Sequence, residues 1–326
     1  MVESELVVGV VEGDRSSREL LRAPAGVRYL FTEPSEADAA EVLHAEALFV
    51  WNVRGGFVRR SWSGFDRLRW VHTATAGVEH LLFPEMVESD VVLTNSRFLF
   101  DQALAEYTIG LMLCLSKDFG TTVTHQREHR WVQREADMLA GKAAVMVGVG
   151  PIARRTAQMA KALGMTVRGV GRTARGGDPD FGDVAASTEL VEALTGADYV
   201  VIVLPGTPET AGMIDAAAIR ALSPAARLIN VGRAATLDQD ALAEALRTGR
   251  LAGAALDVVS PEPLPPDDPL WDVPNLLISP HMSGDHRGWR EEAVAIFERN
   301  LERWCRGEPL LNVVDKHLGY APRNHP

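Results

Sequence analysis

Cysteine is nearly absent: Cys114 and Cys305 are the only two in 326 residues. So sparse a supply argues against a disulfide-stapled scaffold, and both residues lie in apolar, helix-like stretches that suit buried free thiols in a reducing cytosol. Neither has the neighbours of a metal site or of a catalytic thiol, so no metal is expected. Long apolar runs are missing too; none approaches the ~20 residues that span a bilayer. The acidic start leads from Met1 into Leu6-Val-Val-Gly-Val, a strand and not a signal peptide, so the expected location is the cytoplasm with no membrane partner. Positive charge is the third deficit. With 33 Lys and Arg against 44 Asp and Glu, the net charge of −11 argues against a nucleic-acid partner, because phosphate binding needs concentrated positive charge. The Arg127–Arg134 segment interleaves His and Arg with Glu128 and reads as a solvated helical face. No internal repeat, low-complexity tract or long Gly/Ser linker is visible.

What the chain does have is core material: 46% hydrophobic and 24% charged residues, enough for a large core and more than one domain. Short β-rich runs alternate with helical stretches, at Leu6–Val11, Arg28–Phe31, Ala47–Val50, Trp70–Thr73 and Val91–Thr94. Such alternation implies parallel strands with helical crossovers. The pattern predicts one long helix over Asp101–Lys117, with Ala105, Ile109, Met112 and Leu113 on its apolar face. A second alternating set follows at Ala143–Val147, Thr166–Val170, Tyr199–Leu204, Arg227–Val231, Gly253–Val258 and Leu276–Ser279, then a helix over Arg290–Arg306. The tail Pro309–Asp315 is apolar enough to dock, and its expected return to the first domain makes the second domain an insertion.

Gly148 and Gly150 break the apolar run Val145–Ala153 just before a helix. Glycines there let the backbone turn tightly and approach a pyrophosphate, while the amides and dipole at the helix start favour the anion. An NAD site usually places an acid at the end of the next strand to hold the ribose hydroxyls. Here that acid is lacking. Gly171 is followed by Arg172, Thr173 and Arg175, which suits the extra phosphate of NADP better than the diol of NAD. Three further polar residues stand at or just after late strand ends: Arg233, Glu262 and His281. Ligands of open α/β sheets bind at the carboxyl ends of strands, so these three converge on one crevice in this reading. Arginine clamps a carboxylate or polarises a carbonyl, histidine passes a proton near neutral pH, and a carboxylate on its far nitrogen fixes the tautomer.

The ordered segments Gly148-Val-Gly-Pro-Ile-Ala153, Leu204-Pro-Gly-Thr-Pro-Glu-Thr210, Leu228-Ile-Asn-Val-Gly-Arg233, Gly253-Ala-Ala-Leu-Asp-Val258 and Pro280-His-Met-Ser-Gly284 closely resemble those of the D-isomer-specific 2-hydroxyacid dehydrogenase family. Thr75–Glu79, Asn95–Arg97 with Ala105–Tyr107, and Asn312–Asp315 resemble its less specific N- and C-terminal motifs. The fold implied is α/β, with two doubly wound parallel-sheet domains: a Rossmann cofactor domain over residues 98–286, inserted into a flavodoxin-like substrate domain of residues 1–97 and 287–326. The resemblance implies reduction of a small 2-oxo acid by NADP(H), with NAD(H) possible, to the (R)-2-hydroxy acid. It implies that His281 exchanges the proton, that Glu262 holds it charged, and that Arg233 binds the substrate carbonyl and carboxylate beside amides near Ala76, Gly77 and Val78. Domain closure would exclude water. Pro151 and Ile152 would lie over the pyrophosphate, Asp257 would orient the nicotinamide carboxamide, and Leu204, Pro205, Val231, Gly232, Ser283 and Gly284 would line the cofactor.

Pro151, which removes an amide donor, and Ala153, in place of a third glycine, depart from the family pattern. The Gly171-Arg172-Thr173 segment resembles the glyoxylate/hydroxypyruvate reductase branch. Formate dehydrogenase is disfavoured by the acid at Glu262, and phosphoglycerate dehydrogenase by the missing NAD-type acid and by the absence of a regulatory domain after Asp315. The tryptophans read as packing or interface residues, with Trp289 the one placed to touch substrate. A homodimer through the Asp101–Lys117 helix and the segment after it is expected. The alternative from another class is a cofactor-sensing interaction protein of the co-repressor type, built on the same fold without significant turnover.

Overall fold

The computed structural model describes residues 5–11, 16–32, 40–51 and 56–321; of the acidic start of the chain, Glu3 lies outside them. The chain divides into two units, Met1–Leu99 with Arg287–Pro326, and Phe100–His286. Among the described residues no helix is long and apolar enough to cross a membrane.

In the first unit β1 (Leu6–Val11), β2 (Val27–Thr32), β3 (Ala47–Val50), β4 (Trp70–Thr73) and β5 (Val92–Asn95) form a parallel sheet in the order β2-β1-β3-β4-β5. This is the flavodoxin-like order. Both β3 and β4 are buried at all four positions, as strands covered on both faces must be, and this explains why they read as continuous runs. The helix Trp289–Cys305 covers one face. Its buried residues Ala293, Val294, Phe297, Asn300 and Leu301 recur at helical spacing. Phe297 lies flat on Phe49, with centroids 4.4 Å apart, and against Trp70 at 5.4 Å. Burying a side chain of this size is worth about 1.5–3 kcal/mol. The tail that follows pairs Val313 with Thr94 and donates the Val314 amide to Leu93 at 2.8 Å.

The second unit holds β6 (Ala143–Val147), β7 (Thr166–Gly171), β8 (Arg175–Asp178), β9 (Gly182–Ala186), β10 (Tyr199–Ile202), β11 (Arg227–Asn230), β12 (Gly253–Leu256) and β13 (Leu276–Ile278). Their order is β13-β12-β11-β10-β6-β7-β9-β8, parallel throughout except for β8 against β9. Alternate residues feed two cores. Val145, Val147, Val200 and Ile202 pack with Ala218, Ile219 and Leu242 on one face. Met146, Val201 and Ile229 pack with Ile109, Met112, Ala153 and Ala157 on the other. Strand order reverses between β6 and β10, and ligands of open α/β sheets settle at such a reversal.

Several expectations are corrected. The strands begun at Tyr199, Arg227 and Gly253 stop at Ile202, Asn230 and Leu256, short of the expected ends. Beyond those ends the chain leaves the ladder so that neighbouring loops can approach one another. The β8–β9 hairpin was not expected, because Arg175-Gly-Gly-Asp178 has no apolar alternation. Arg127–Arg134 is not a helical face: the helix Phe119–Arg127 ends there, and His129 takes a left-handed φ of 54°. The two thiols are free but not buried, Cys305 being exposed and Cys114 half-buried.

Candidate active site

Gly148 follows β6 with φ +107°, and a Cβ there would stand 2.6 Å from the Val203 carbonyl oxygen. No other residue fits that turn. Gly150 caps the helix Pro151–Ala162 and nothing lies within 4 Å of where its Cβ would be, so the cradle opens outward. The first intrahelical bond is Arg154 N–H to Gly150 O, which leaves the Ile152 and Ala153 amides ahead of it at the positive end of the helix. Pro151 at the first position removes only a donor that the helix itself does not use. Ala153 is fully buried, and its small side chain keeps the helix close to the sheet.

A second close approach flanks the first. A Cβ on Gly232 would meet the Leu204 oxygen at 2.7 Å and nitrogen at 2.8 Å, so the loops after β10 and β11 touch through backbone. The carboxamide of buried Asn230 accepts from Gly232 N–H and donates to the Arg233 carbonyl. The Thr236 hydroxyl donates to that carbonyl too, at 2.7 Å. Arg233 is thus fixed at its backbone, with its stem across Gly206 and its Nη1 donating to the Gly232 carbonyl at 2.8 Å. Pro205, with its carbonyl held by the Thr210 hydroxyl at 2.6 Å, lies on the same loop as Leu204. Val231 is buried beside Gly232.

His281 stands after β13 with φ 52°, and its Nδ1 lies 2.8 Å from Glu262 Oε2. The other Glu262 oxygen accepts the Val259 amide. The pair is partly open, with side-chain exposures of 40% and 27%. Asp257, buried after β12, anchors the histidine loop: its carboxylate accepts from the Ser279 hydroxyl at 2.6 Å and from the amides of Met282 and Ser283 at 3.0 Å. Its carbonyl accepts the His281 amide. These bonds hold a non-glycine residue in a left-handed conformation that costs energy alone. Gly284 closes the loop against Phe100. Since β11, β12 and β13 are adjacent and parallel, Arg233, Asp257 and His281 leave the same edge of the sheet.

At the other end of the sheet Gly171 ends β7, with Arg172 and Thr173 exposed after it. Glu209 has its carboxyl held below the ordinary range, by its own backbone amide and the Thr207 hydroxyl first, and also by the positive charge of Arg172. Arg175 is exposed too, with Nε and Nη2 bonded to Asp178. Among the described residues no group of His, Cys, Asp or Glu gathers as a metal site would require.

In the first unit, the Asn95 amide donates to the Ala76 carbonyl at 2.6 Å and the Thr75 hydroxyl to the Gly77 carbonyl at 2.7 Å. In a trans peptide the C=O and the next N–H point opposite ways, so the amides of Gly77 and Val78 face away from these anchors. Trp289 stacks on Trp51 at 5.6 Å, with the Arg290 guanidinium 4.8 Å over its ring. Sequence reasoning named Asn95 and Asn230 within motifs without assigning them an anchoring role, and gave no role to Asp178 or Ser279. Ser279, at the strand end beside Asp257, had at least the signal of a polar residue ending an apolar run.

The cradle of Gly148, Gly150 and Gly232, the free helix start and the absence of an acid after Gly171 fit a dinucleotide with its pyrophosphate at the Pro151–Ala162 helix. A family model described as the NAD-binding domain of D-isomer-specific 2-hydroxyacid dehydrogenases matches residues 109–283. The chain is 31% identical over 263 residues to glyoxylate/hydroxypyruvate reductase A of Escherichia fergusonii, covering 78% of this chain and 82% of that one. It superposes with a TM-score of 0.84 on a D-isomer-specific 2-hydroxyacid dehydrogenase family protein from Aeromonas salmonicida, 32% identical, covering 96% of this chain and all of that one. A D-isomer-specific 2-hydroxyacid dehydrogenase from Xanthobacter autotrophicus, solved with NADPH and MES, gives a TM-score of 0.80 at 30% identity, covering 97% of this chain and all of the other.

Proposed function

The chain belongs to the D-isomer-specific 2-hydroxyacid dehydrogenase family, and from that premise we propose that it reversibly reduces a small 2-oxo acid of the glyoxylate or hydroxypyruvate kind to the (R)-2-hydroxy acid, with NADP(H) preferred over NAD(H). The reaction is 2-oxo acid + NAD(P)H + H⁺ → 2-hydroxy acid + NAD(P)⁺. The nicotinamide supplies the hydride. Gly148, Gly150, Pro151, Ile152, Leu204, Pro205, Val231, Gly232, Ser283 and Gly284 hold the dinucleotide, and Asp257 orients its carboxamide. Arg172, Thr173 and Arg175 favour the extra phosphate.

The observation that carries the reading is the His281–Glu262 pair at 2.8 Å, on the same sheet edge as Arg233. With Nδ1 held by the carboxylate, Nε2 is left to give a proton to the substrate carbonyl oxygen and to take it back in the reverse direction. Glu262 stabilises the imidazolium. Arg233 grips the carboxylate and draws electron density toward the carbonyl oxygen, and the amides of Ala76, Gly77 and Val78 are the further donors proposed for the carboxylate. The exposed Phe119, Val123, Trp131 and Met138, in and after the helix that follows Asp101–Lys117, support self-association of two copies through this face.

A panel of 2-oxo acids with NADPH and with NADH tests the reading. Glyoxylate and hydroxypyruvate should be turned over with kcat/KM about tenfold or more higher for NADPH, and hydroxypyruvate should give the (R) product. Binding of NADPH without oxidation across the panel would overturn it in favour of a cofactor-sensing protein.

A further inference from the structure

The β8–β9 hairpin is built around a buried charge. The Asp178 side chain is only 4% exposed. Arg154, from the first turn of the helix after Gly150, donates from Nη1 to Asp178 Oδ1 and from Nη2 to Oδ2, both at 2.8 Å. Its Nη1 also reaches Asp180 at 2.7 Å, and its guanidinium lies 5.1 Å over the Phe181 ring. The Asp180 amide donates to Asp178 Oδ1, while Arg175 donates to Oδ2 from Nε at 3.1 Å and from Nη2 at 2.9 Å. Oδ1 therefore takes two donors and Oδ2 takes three, which uses up the lone pairs of the carboxylate. An acid so saturated has nothing left for a ribose diol.

What Asp178 does instead is aim Arg175. With Nε and Nη2 committed, the remaining Nη1 stands 3.7 Å from where a Cβ on Gly171 would be. Gly171 is the end of β7, and the end of the second strand is where dinucleotide-binding sheets read the adenine ribose. We propose that Asp178, braced by Arg154, is a positioning residue for cofactor discrimination: it holds Arg175 over Gly171 so that Nη1 meets a phosphate on the ribose 2′ position. This rests on the reading that NADP(H) is preferred. The helix that meets the pyrophosphate and the hairpin that meets the ribose are thereby tied by one carboxylate. Because the charges of Arg154 and Arg175 are offset by Asp178 and Asp180, Arg175 adds to Arg172 and Thr173 one directed donor, and not a loose excess of positive charge.

Calorimetric titration of NADP⁺, NAD⁺, adenosine 2′,5′-bisphosphate and 5′-AMP into wild type, Asp178→Asn, Arg175→Ala and the double variant tests this without turnover. Each single variant should weaken NADP⁺ and the bisphosphate about tenfold while leaving NAD⁺ and 5′-AMP within about twofold. The double variant should bind no more weakly than Arg175→Ala, because both changes remove one contact. Should Asp178→Asn unfold the hairpin, Arg175→Ala alone must still lose NADP⁺, and unchanged affinity in that variant overturns the inference. So do effects that add in the double variant. A wild type that binds NADP⁺ and NAD⁺ equally overturns the cofactor preference itself, whereas a preferring wild type with an unaltered Asp178→Asn removes only the role of Asp178.

Discussion

Between β4 and β5 of the first sheet a set of neutral polar side chains answer one another. Trp70 Nε1 donates to Thr94 Oγ1 at 2.8 Å, and Thr94 Oγ1 meets His72 Nδ1 at 2.7 Å. His72 Nε2 faces the Ser96 hydroxyl, which donates to the Thr73 carbonyl. Because the Ser96 hydroxyl spends its one proton on the Thr73 carbonyl, it accepts from Nε2, which is assigned the hydrogen of neutral His72, and Nδ1 accepts from Thr94. At the carboxyl edge of the second sheet the polar groups are ionisable: Arg172, Arg175, Arg233, Asp257, Glu262 and His281. The first sheet is parallel and the second parallel except for β8 against β9, yet the first links dipoles across β4 and β5 where the second gathers charges at its carboxyl edge. The contrast separates two tasks. Neutral bonds can shape a peptide loop without competing for a charged ligand, whereas the proton transfer and phosphate selection proposed above call for groups that carry charge.

Removing the charge of the second edge should have the largest effect. His281→Ala should lower turnover by about 10²–10⁴-fold in steady-state assays while the dissociation constant for NADPH stays near wild type. Retained turnover would show that the proton comes from elsewhere. The contrast can also be broken from the other side, by forcing a charge into the neutral set. Burial pulls the His72 pKa down from 6.5 to about 3. Between those values the unfolded chain binds a proton that the folded chain does not, so stability is fully present above about pH 6.5 and falls as the pH drops toward 3. About 2 kcal/mol should be lost from this group between pH 7 and pH 5, measured by urea unfolding, and His72→Phe should lose less over the same interval. An equal pH slope in the two proteins would show that His72 does not titrate on unfolding. The smallest effect is expected where a single dipole is removed. Asn95→Ala frees the Ala76 carbonyl and should raise KM for the 2-oxo acid several-fold, about 1 kcal/mol, with KM for NADPH unchanged. A fall in NADPH affinity instead would place Asn95 in another role.

The strands were legible because burial on both faces leaves a continuous apolar signature: Ala47–Val50 and Trp70–Thr73 stand at the residues expected. Gly148, Glu262 and His281 were legible because each follows such a run in a recognisable order. Asp178 was not, since Arg175–Asp178 holds its place through ion pairs with Arg154, a partner 24 residues away, and leaves no local pattern. Nor could spacing indicate that Asn95 ties down a loop across the sheet, or that His72 is a core residue. A histidine between apolar neighbours looks the same in sequence whether it is buried neutral or poised to titrate. The end of the helix at Arg127 was hidden because Glu128 and His129 suit helix and turn alike.

Phe297 and Asn300 complete a core begun by Phe49, Trp70 and Leu93, and Lys316 ties the tail beside it. Phe297 lies on the first of these, Asn300 exchanges bonds with Leu311, and Lys316 Nζ donates to the carbonyls of Met86, Ser89 and Val91. The residues that supply this closing layer leave the ribosome after the whole of Phe100–His286. During synthesis the uninterrupted second unit has all of its own sequence available first. The first unit can cover this apolar sheet face only once the last helix, Trp289–Cys305, has been made.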